Sequence, residues 1–147
     1  MAIWFIPATP ADLNAHSQGT MSEILGIEFL EVGEDCLTAR MPVDRRTVQP
    51  AGLLHGGASV TLAETLGSVA ATLCVDPASK MCVGLEINAN HVRAVRSGFV
   101  YGTARPLHIG SSTQLWEIRI VDEQDRLVCV SRLTMAVLNR EERTRSG

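Results

Sequence analysis

The sequence contains no C-x-x-C pair, no long uncharged apolar run and no excess of basic residues, and each absence excludes something. Its four cysteines, Cys36, Cys74, Cys82 and Cys129, are scattered, and three of them sit inside apolar runs. That pattern reads as buried free thiols in a reducing compartment rather than as a disulfide framework. No stretch approaches the ~18 apolar residues of a membrane span. The start, MAIWFIPATPADLN, lacks the basic region and the apolar length of a signal peptide, so the expected location is the cytoplasm. With a net charge of −3 and a pI near 5.8, nothing draws the chain as a whole to nucleic acid or to an anionic membrane. A polyanionic ligand would need a local cluster of arginines. The four histidines, His16, His55, His91 and His108, form no H-x-x-x-H or H-E-x-x-H pattern, so no metal is assigned.

What is present is a globular composition, 46% hydrophobic and 20% charged, in 147 residues. That length suits one domain spanning 1–147, with an N-terminal extension over 1–20 and a polar tail over 139–147. Thr9-Pro10 followed by ADLNAHS predicts a capped short helix, and MSEILG a helical turn stopped by Gly26. Two β-rich runs, IEFLEV and CLTARMPV, flank Gly33-Glu34-Asp35 as a hairpin. Residues 44 to 55 read as a loop. The run from Gly56 to about Val75 is the one long helix, with apolar residues all round its axis, which predicts burial along most of its length. Four β-like segments follow, at about 81–94, 98–108, 113–122 and 127–138, joined by connections too short for the dozen or so residues of a parallel crossover. The expected fold is α+β, a curved antiparallel sheet wrapped around one long helix. Such a sheet leaves edges open, so a homo-oligomer is expected.

Between Arg46 and Asp76 the chain carries one charged side chain, Glu64. An arbitrary mid-helix glutamate reaches solvent or caps a neighbouring backbone, often with a lysine or arginine one turn away to pair with. Glu64 has no such neighbour; three and four residues on stand Gly67 and Ser68. Small residues beside a partly buried carboxylate imply a pocket, and burial raises a carboxyl pKa toward the range of a general base or nucleophile. At the helix start, Gly56 and Gly57 precede backbone N–H groups that lack an intrahelical acceptor and sit at the positive end of the dipole. Glycine there allows a substrate oxygen close approach, as in an oxyanion hole. A tight loop-to-helix turn accounts for the glycines alone, but not for His55 before them and Glu64 after.

The spacing Q-P-x-G-x-L-H-G-G-A-S-x-x-L-A-E-T-x-G-S, from Gln49 to Ser68, resembles the hotdog-fold acyl-CoA thioesterases of the glutamate type. The branch is that of the 1,4-dihydroxy-2-naphthoyl-CoA hydrolases, the enterobactin-pathway proofreading thioesterases and the 4-hydroxybenzoyl-CoA thioesterases. The similarity continues through VGLEINANHVR and GTARPLHIGSSTQLWEI. It implies Glu64 as the catalytic carboxylate and the Gly56 N–H as the group polarising the thioester carbonyl. It implies positioning roles for His55, Gln49 and Ser68. The acyl pocket is expected to be lined by the loop 48–54, the helix face of Glu64 and Ser68, and residues near Val83.

On the strand from Leu85, one face changes from apolar to cationic at His91 and Arg93, which suits a ligand mouth. By resemblance, the nucleotide and pantetheine of coenzyme A would lie along Asn90, His91, Val92 and Arg93 and along the turn Leu107, His108, Ile109, Gly110, Ser111 and Ser112. Trp116 and Phe99 read as strand packing. The implied partner is a small-molecule acyl-CoA thioester, with coenzyme A as part of substrate and product and no further cofactor. The implied assembly is a dimer, extended to a dimer of dimers with the site at the subunit boundary. Alternatives are a thioesterase acting on aryl or acyl carrier-protein thioesters, a non-catalytic acyl-CoA-binding module, and a scaffold in which Glu64 is only structural. A hydratase of the same fold relies on histidine with an acidic partner; the glutamate nine residues after His55 argues against it.

Overall fold

The computed structural model describes residues 1–140, so the polar tail lies outside the described residues from 141 onward. Two short helices, α1 (Pro10–His16) and α2 (Met21–Ile24), precede strands β1 (Glu28–Val32) and β2 (Leu37–Pro42). The long helix α3 (Gly56–Leu73) follows, then β3 (Lys80–His91), β4 (Phe99–Ile109), β5 (Thr113–Val121) and β6 (Leu127–Asn139). All pairings are antiparallel in one six-stranded sheet of order β1-β2-β4-β5-β6-β3. This is the α+β hotdog architecture, with α3 packed on β2 through β6.

Period-2 alternation decides which strand residues meet the helix. Leu37, Ala39 and Met41 of β2, Val100, Gly102 and Ala104 of β4, and Gln114, Trp116, Ile118 and Ile120 of β5 all face inward and are buried. Trp116 is core, as its strand position predicts, and its indole donates to Gln114 Oε1 at 2.9 Å. Two missing Cβ atoms set the helix depth. A Cβ on Gly102 would lie 2.6 Å from Leu66 Cδ1, and one on Gly67 would lie 2.5 Å from Leu133 Cδ2. The sequence predicts burial along most of α3, and the structure narrows this: the sheet covers one side. Leu62, Ala63, Leu66 and Ala70 are buried, while Glu64, Thr65, Ser68 and Val69 are half-buried and Thr72 is exposed.

The N-terminal extension covers part of that open side. Trp4 stacks on Trp116 with ring centroids 6.3 Å apart, and its indole donates to the Gly33 carbonyl at 2.6 Å. The Phe5 and Ile6 N–H groups donate to the Leu73 carbonyl at 2.8 and 2.9 Å, satisfying an acceptor at the C-terminal end of α3. Helix α1 starts at a capping box, with Pro10 in its first turn: the Asp12 N–H donates to Thr9 Oγ1, and the Thr9 N–H to Asp12 Oδ2.

The two sheet edges are treated differently. On β1, Asn14 of α1 stands in for a neighbouring strand: its amide donates to the Phe29 carbonyl at 3.1 Å, and the Phe29 N–H donates to Asn14 Oδ1 at 2.8 Å. On the other edge, β3 pairs among the described residues only with β6, and it carries exposed Leu85 at a bulge between Gly84 and Glu86. Asn14→Ala should therefore lower stability by about 1–2 kcal/mol, the usual loss for two unmade hydrogen bonds. It should also promote concentration-dependent association through β1. Urea unfolding with light scattering checks this; an unchanged midpoint would show that the edge does not need its cap.

Candidate active site

His55 is the N-cap of α3, and the Gly57 N–H donates to its Nδ1 at 2.8 Å. That bond needs a lone pair on Nδ1, so the neutral ring carries its proton on Nε2, free to donate. The Ala58 and Ser59 N–H groups both donate to the His55 carbonyl, at 2.9 and 3.2 Å. The remaining first-turn donor, the Gly56 N–H, makes no hydrogen bond among the described residues. It sits at a helix end without an acidic side chain in the first turn, so the positive end of the dipole is uncompensated. His91 lies against it: a Cβ on Gly56 would meet the ring with Nε2 at 3.0 Å. Only glycine permits that approach.

Around this helix end a cavity of about 430 Å³ is lined by Gln49, Leu53, Leu54 and Gly56 on one side and His91, Val92 and Arg93 on the other. Gln49 Oε1 accepts from the Ala51 N–H, which leaves the amide N–H groups of Gln49 as the available donors. Arg93 and Asn90 are exposed and make no ion pair among the described residues.

Glu64 sits elsewhere. Its Oε1 would lie 2.6 Å from a Cβ on Gly84, so the carboxylate occupies space that this strand glycine vacates. It has no hydrogen bond or ion pair among the described residues. Burial pushes its carboxyl above the ordinary carboxylate range. The Ser68 hydroxyl, one turn on, donates to the Met135 sulfur at 3.8 Å. Ser68, Val69, Thr72 and Leu73 form one wall of a second cavity, about 630 Å³, whose other wall is Ile6, Pro7, Leu13 and His16 of the N-terminal extension.

The predicted residues therefore fall into three places. Gln49, His55, Gly56, His91, Val92 and Arg93 gather at the N-terminal end of α3. Glu64, Ser68 and half-buried Val83, which is next to Gly84, lie further along the helix. From Gly56 to Glu64 the helix rises about 12 Å, and from Gly84 to His91 the strand spans roughly 20 Å. Leu107, His108, Ile109, Gly110, Ser111 and Ser112 form a third group. The Ser112 carbonyl accepts from the Val137 N–H, beside the Lys80–Val83 end of β3, so within one chain this turn lies at the opposite end of the sheet from His91. Within one chain the 48–54 loop and Ser68 face different cavities, because the loop lies beside the N-terminal end of α3 and Ser68 lies about three turns along it.

Two features escaped the sequence reading. Gly84 carried a usable signal, a glycine inside a strand, which marks a bulge or a close approach. The N-terminal wall carried none, because Ile6, Leu13 and His16 meet α3 only through the tertiary fold.

The raised Glu64 pKa has a consequence for stability. The folded chain holds this proton more tightly than the unfolded chain, so the favourable contribution is complete below the unfolded value and is lost as pH rises through the folded one. At neutral pH the charged group is a net burden. Glu64→Gln should thus raise Tm at pH 7, with the gain shrinking as pH falls toward 4.5. Calorimetry of both proteins across that range measures it; a pH-independent difference would contradict burial as the cause.

Residues 51–129 match the thioesterase superfamily, a span that opens just before α3 and ends in β6. The chain is 57% identical to the 1,4-dihydroxy-2-naphthoyl-CoA hydrolase of Escherichia coli, over 92% of this chain and 99% of that protein. It is 54% identical to the proofreading thioesterase EntH of Cronobacter turicensis, over 92% and 98%. A solved thioesterase from Haemophilus influenzae superposes with a TM-score of 0.91 at 50% identity, covering 93% of this chain and 95% of that one. Likeness of sequence and fold over nearly the whole length, including both the helix with Glu64 and the strands around it, places the chain in the thioesterase superfamily.

Proposed function

We propose that this protein hydrolyses acyl-CoA or aroyl-CoA thioesters to the free acid and coenzyme A, with water as the only co-reactant. The observation that carries the reading is Glu64: a half-buried carboxylate without a partner among the described residues, made more basic by its surroundings, one helical turn from a substrate-sized cavity. The Gly56 N–H receives the thioester carbonyl oxygen, and the helix dipole stabilises the negative charge that develops there. Glu64 either attacks the carbonyl carbon, giving an anhydride that water then cleaves, or takes a proton from an attacking water. His55 Nε2–H and the Gln49 amide donate toward the departing thiolate. The Ser68 hydroxyl orients the carboxylate or the water.

Geometry makes a second copy part of this reading. A carboxylate and an N–H acting on one carbonyl sit within about 7 Å of each other. The separation along α3 exceeds that within one chain, so Glu64 of one chain is proposed to face Gly56 and His91 of another. The open β3 edge, next to Gly84, supports assembly by continuing the sheet across two chains. Light scattering should give a mass of at least two chains, and four for a dimer of dimers.

Glu64→Gln should lower kcat at least ~10²-fold on benzoyl-CoA, followed by trapping the released thiol. Gly56→Pro, which removes the N–H and also presses a Cβ against the His91 ring of the same chain, should be similarly impaired. An equal mixture of the two, unfolded and reassembled together, should recover about a quarter of wild-type activity: half the dimers are mixed, and each has one intact site. No recovery would place both groups of one site in the same chain.

Arg93, with His91 and Val92 at the mouth of the first cavity, is proposed to hold the phosphates of coenzyme A, reached on a partner chain by the 107–112 turn. Arg93→Ala should raise KM for CoA thioesters about tenfold and change kcat little, the mark of uniform binding lost. An unchanged KM at low ionic strength would favour a carrier-protein thioester as substrate.

A further inference from the structure

The second cavity ends in a side chain that hydrolysis does not require. His16 lies on its wall in the last turn of α1, facing a pocket whose other members are mainly apolar: Ile6, Pro7, Leu13, Val69 and Leu73. Its Nδ1 is 2.9 Å from the carbonyl oxygen of Asp12. A carbonyl oxygen only accepts, so Nδ1 carries the proton and the neutral ring keeps its lone pair on Nε2. The carboxylate of Asp12, also on this wall, is occupied: its Oδ2 accepts from the Thr9 N–H at 2.9 Å and the Thr9 hydroxyl at 2.7 Å. The Nε2 atom has no partner among the described residues, and neither has the hydroxyl of Thr72 on the α3 wall. One acceptor and one hydroxyl are thus left at the margin of an apolar cavity of about 630 Å³, a size ordinary for small-molecule sites.

We propose that His16 is a specificity-determining residue for the acyl group. It accepts, through Nε2, a hydrogen bond from a hydroxyl on the far end of an aromatic acyl group seated between the N-terminal extension and α3, with Thr72 as the second partner. The inference rests on the thioesterase reading and on acyl groups entering the cavity that starts at Ser68. A flat ring system fills the apolar walls, and its hydroxyl supplies the donor that Nε2 lacks. His16 and Thr72 are exposed, so water serves them in the free protein; a ring seated over them displaces that water, and only a hydroxylated ring returns the hydrogen bond.

The test compares kcat/KM for two pairs, 4-hydroxybenzoyl-CoA against benzoyl-CoA and 6-hydroxy-2-naphthoyl-CoA against 2-naphthoyl-CoA. The proteins are wild type, His16→Phe and His16→Gln. Wild type should favour the hydroxylated member of at least one pair about tenfold. His16→Phe, which keeps a flat ring but removes the acceptor, should bring that ratio to about one. His16→Gln, whose amide oxygen accepts, should restore part of it. Ratios equal in wild type and His16→Phe, or no wild-type preference in either pair, would overturn the proposal even as Glu64-dependent hydrolysis of all four compounds upheld the thioesterase reading. Absence of hydrolysis of all four would overturn both.

Discussion

The depth at which α3 sits in the sheet governs everything else in this fold, and it is set by side chains that are missing. Leu66 fills the space over Gly102, and Leu133 fills the space beside Gly67. A methyl at either position would force packed leucines aside, and close-packed cores resist such shifts. The same device recurs at the site: Gly84 leaves room for the Glu64 carboxylate, and Gly56 for the His91 ring. Glycine in a helix interior is unfavourable by about 1 kcal/mol relative to alanine. Here that penalty is offset by a helix held close enough to the strands for its one carboxylate to meet β3.

Because α3 is fixed, its two ends acquire different fates. The C-terminal carbonyl of Leu73 is satisfied by the chain itself, through the N–H groups of Phe5 and Ile6. At the N-terminus His55 occupies the Gly57 N–H and its carbonyl takes two more donors, but Gly56 is left over. The first turn of α3 holds no acidic residue and its last turn no basic one. The fold thus satisfies the C-terminal carbonyl and leaves the other end with one donor beside a cavity, in a field that favours negative charge.

Much of this was legible in the sequence where local rules suffice. The capped α1, the long helix from Gly56 and the four later strands follow from caps, periodicity and glycine punctuation, with α3 ending at Leu73 rather than near Val75. Glu64 stood out because nothing charged surrounds it. Tertiary relations were less legible. Apolar residues all round α3 indicated burial but not that one side stays open beside Ser68 and Thr72. The 107–112 turn and His91 look equally suited to a ligand mouth, yet antiparallel pairing through β6 sends them to opposite ends of the sheet. Asn14 gave no hint of its bond to β1, because an asparagine in a short helix says nothing about a strand fifteen residues away.

The unequal edges connect assembly to chemistry. An exposed edge strand is ordinarily a hazard, and β1 is blunted by a side chain that mimics a strand. The strand left open, β3, is the one whose glycine accommodates Glu64 and whose end brings His91 to Gly56. Its bulge falls immediately after Gly84, twisting the strand where the carboxylate lies against it. The strand that makes room for Glu64 and brings His91 to Gly56 is thus also, among the described residues, a sheet edge without a neighbour. The two edges are thus blunted by different means, β1 by the Asn14 side chain and β3 by its bulge and the exposed charge of Glu86, and it is on β3 that the contacts to Glu64 and Gly56 are made.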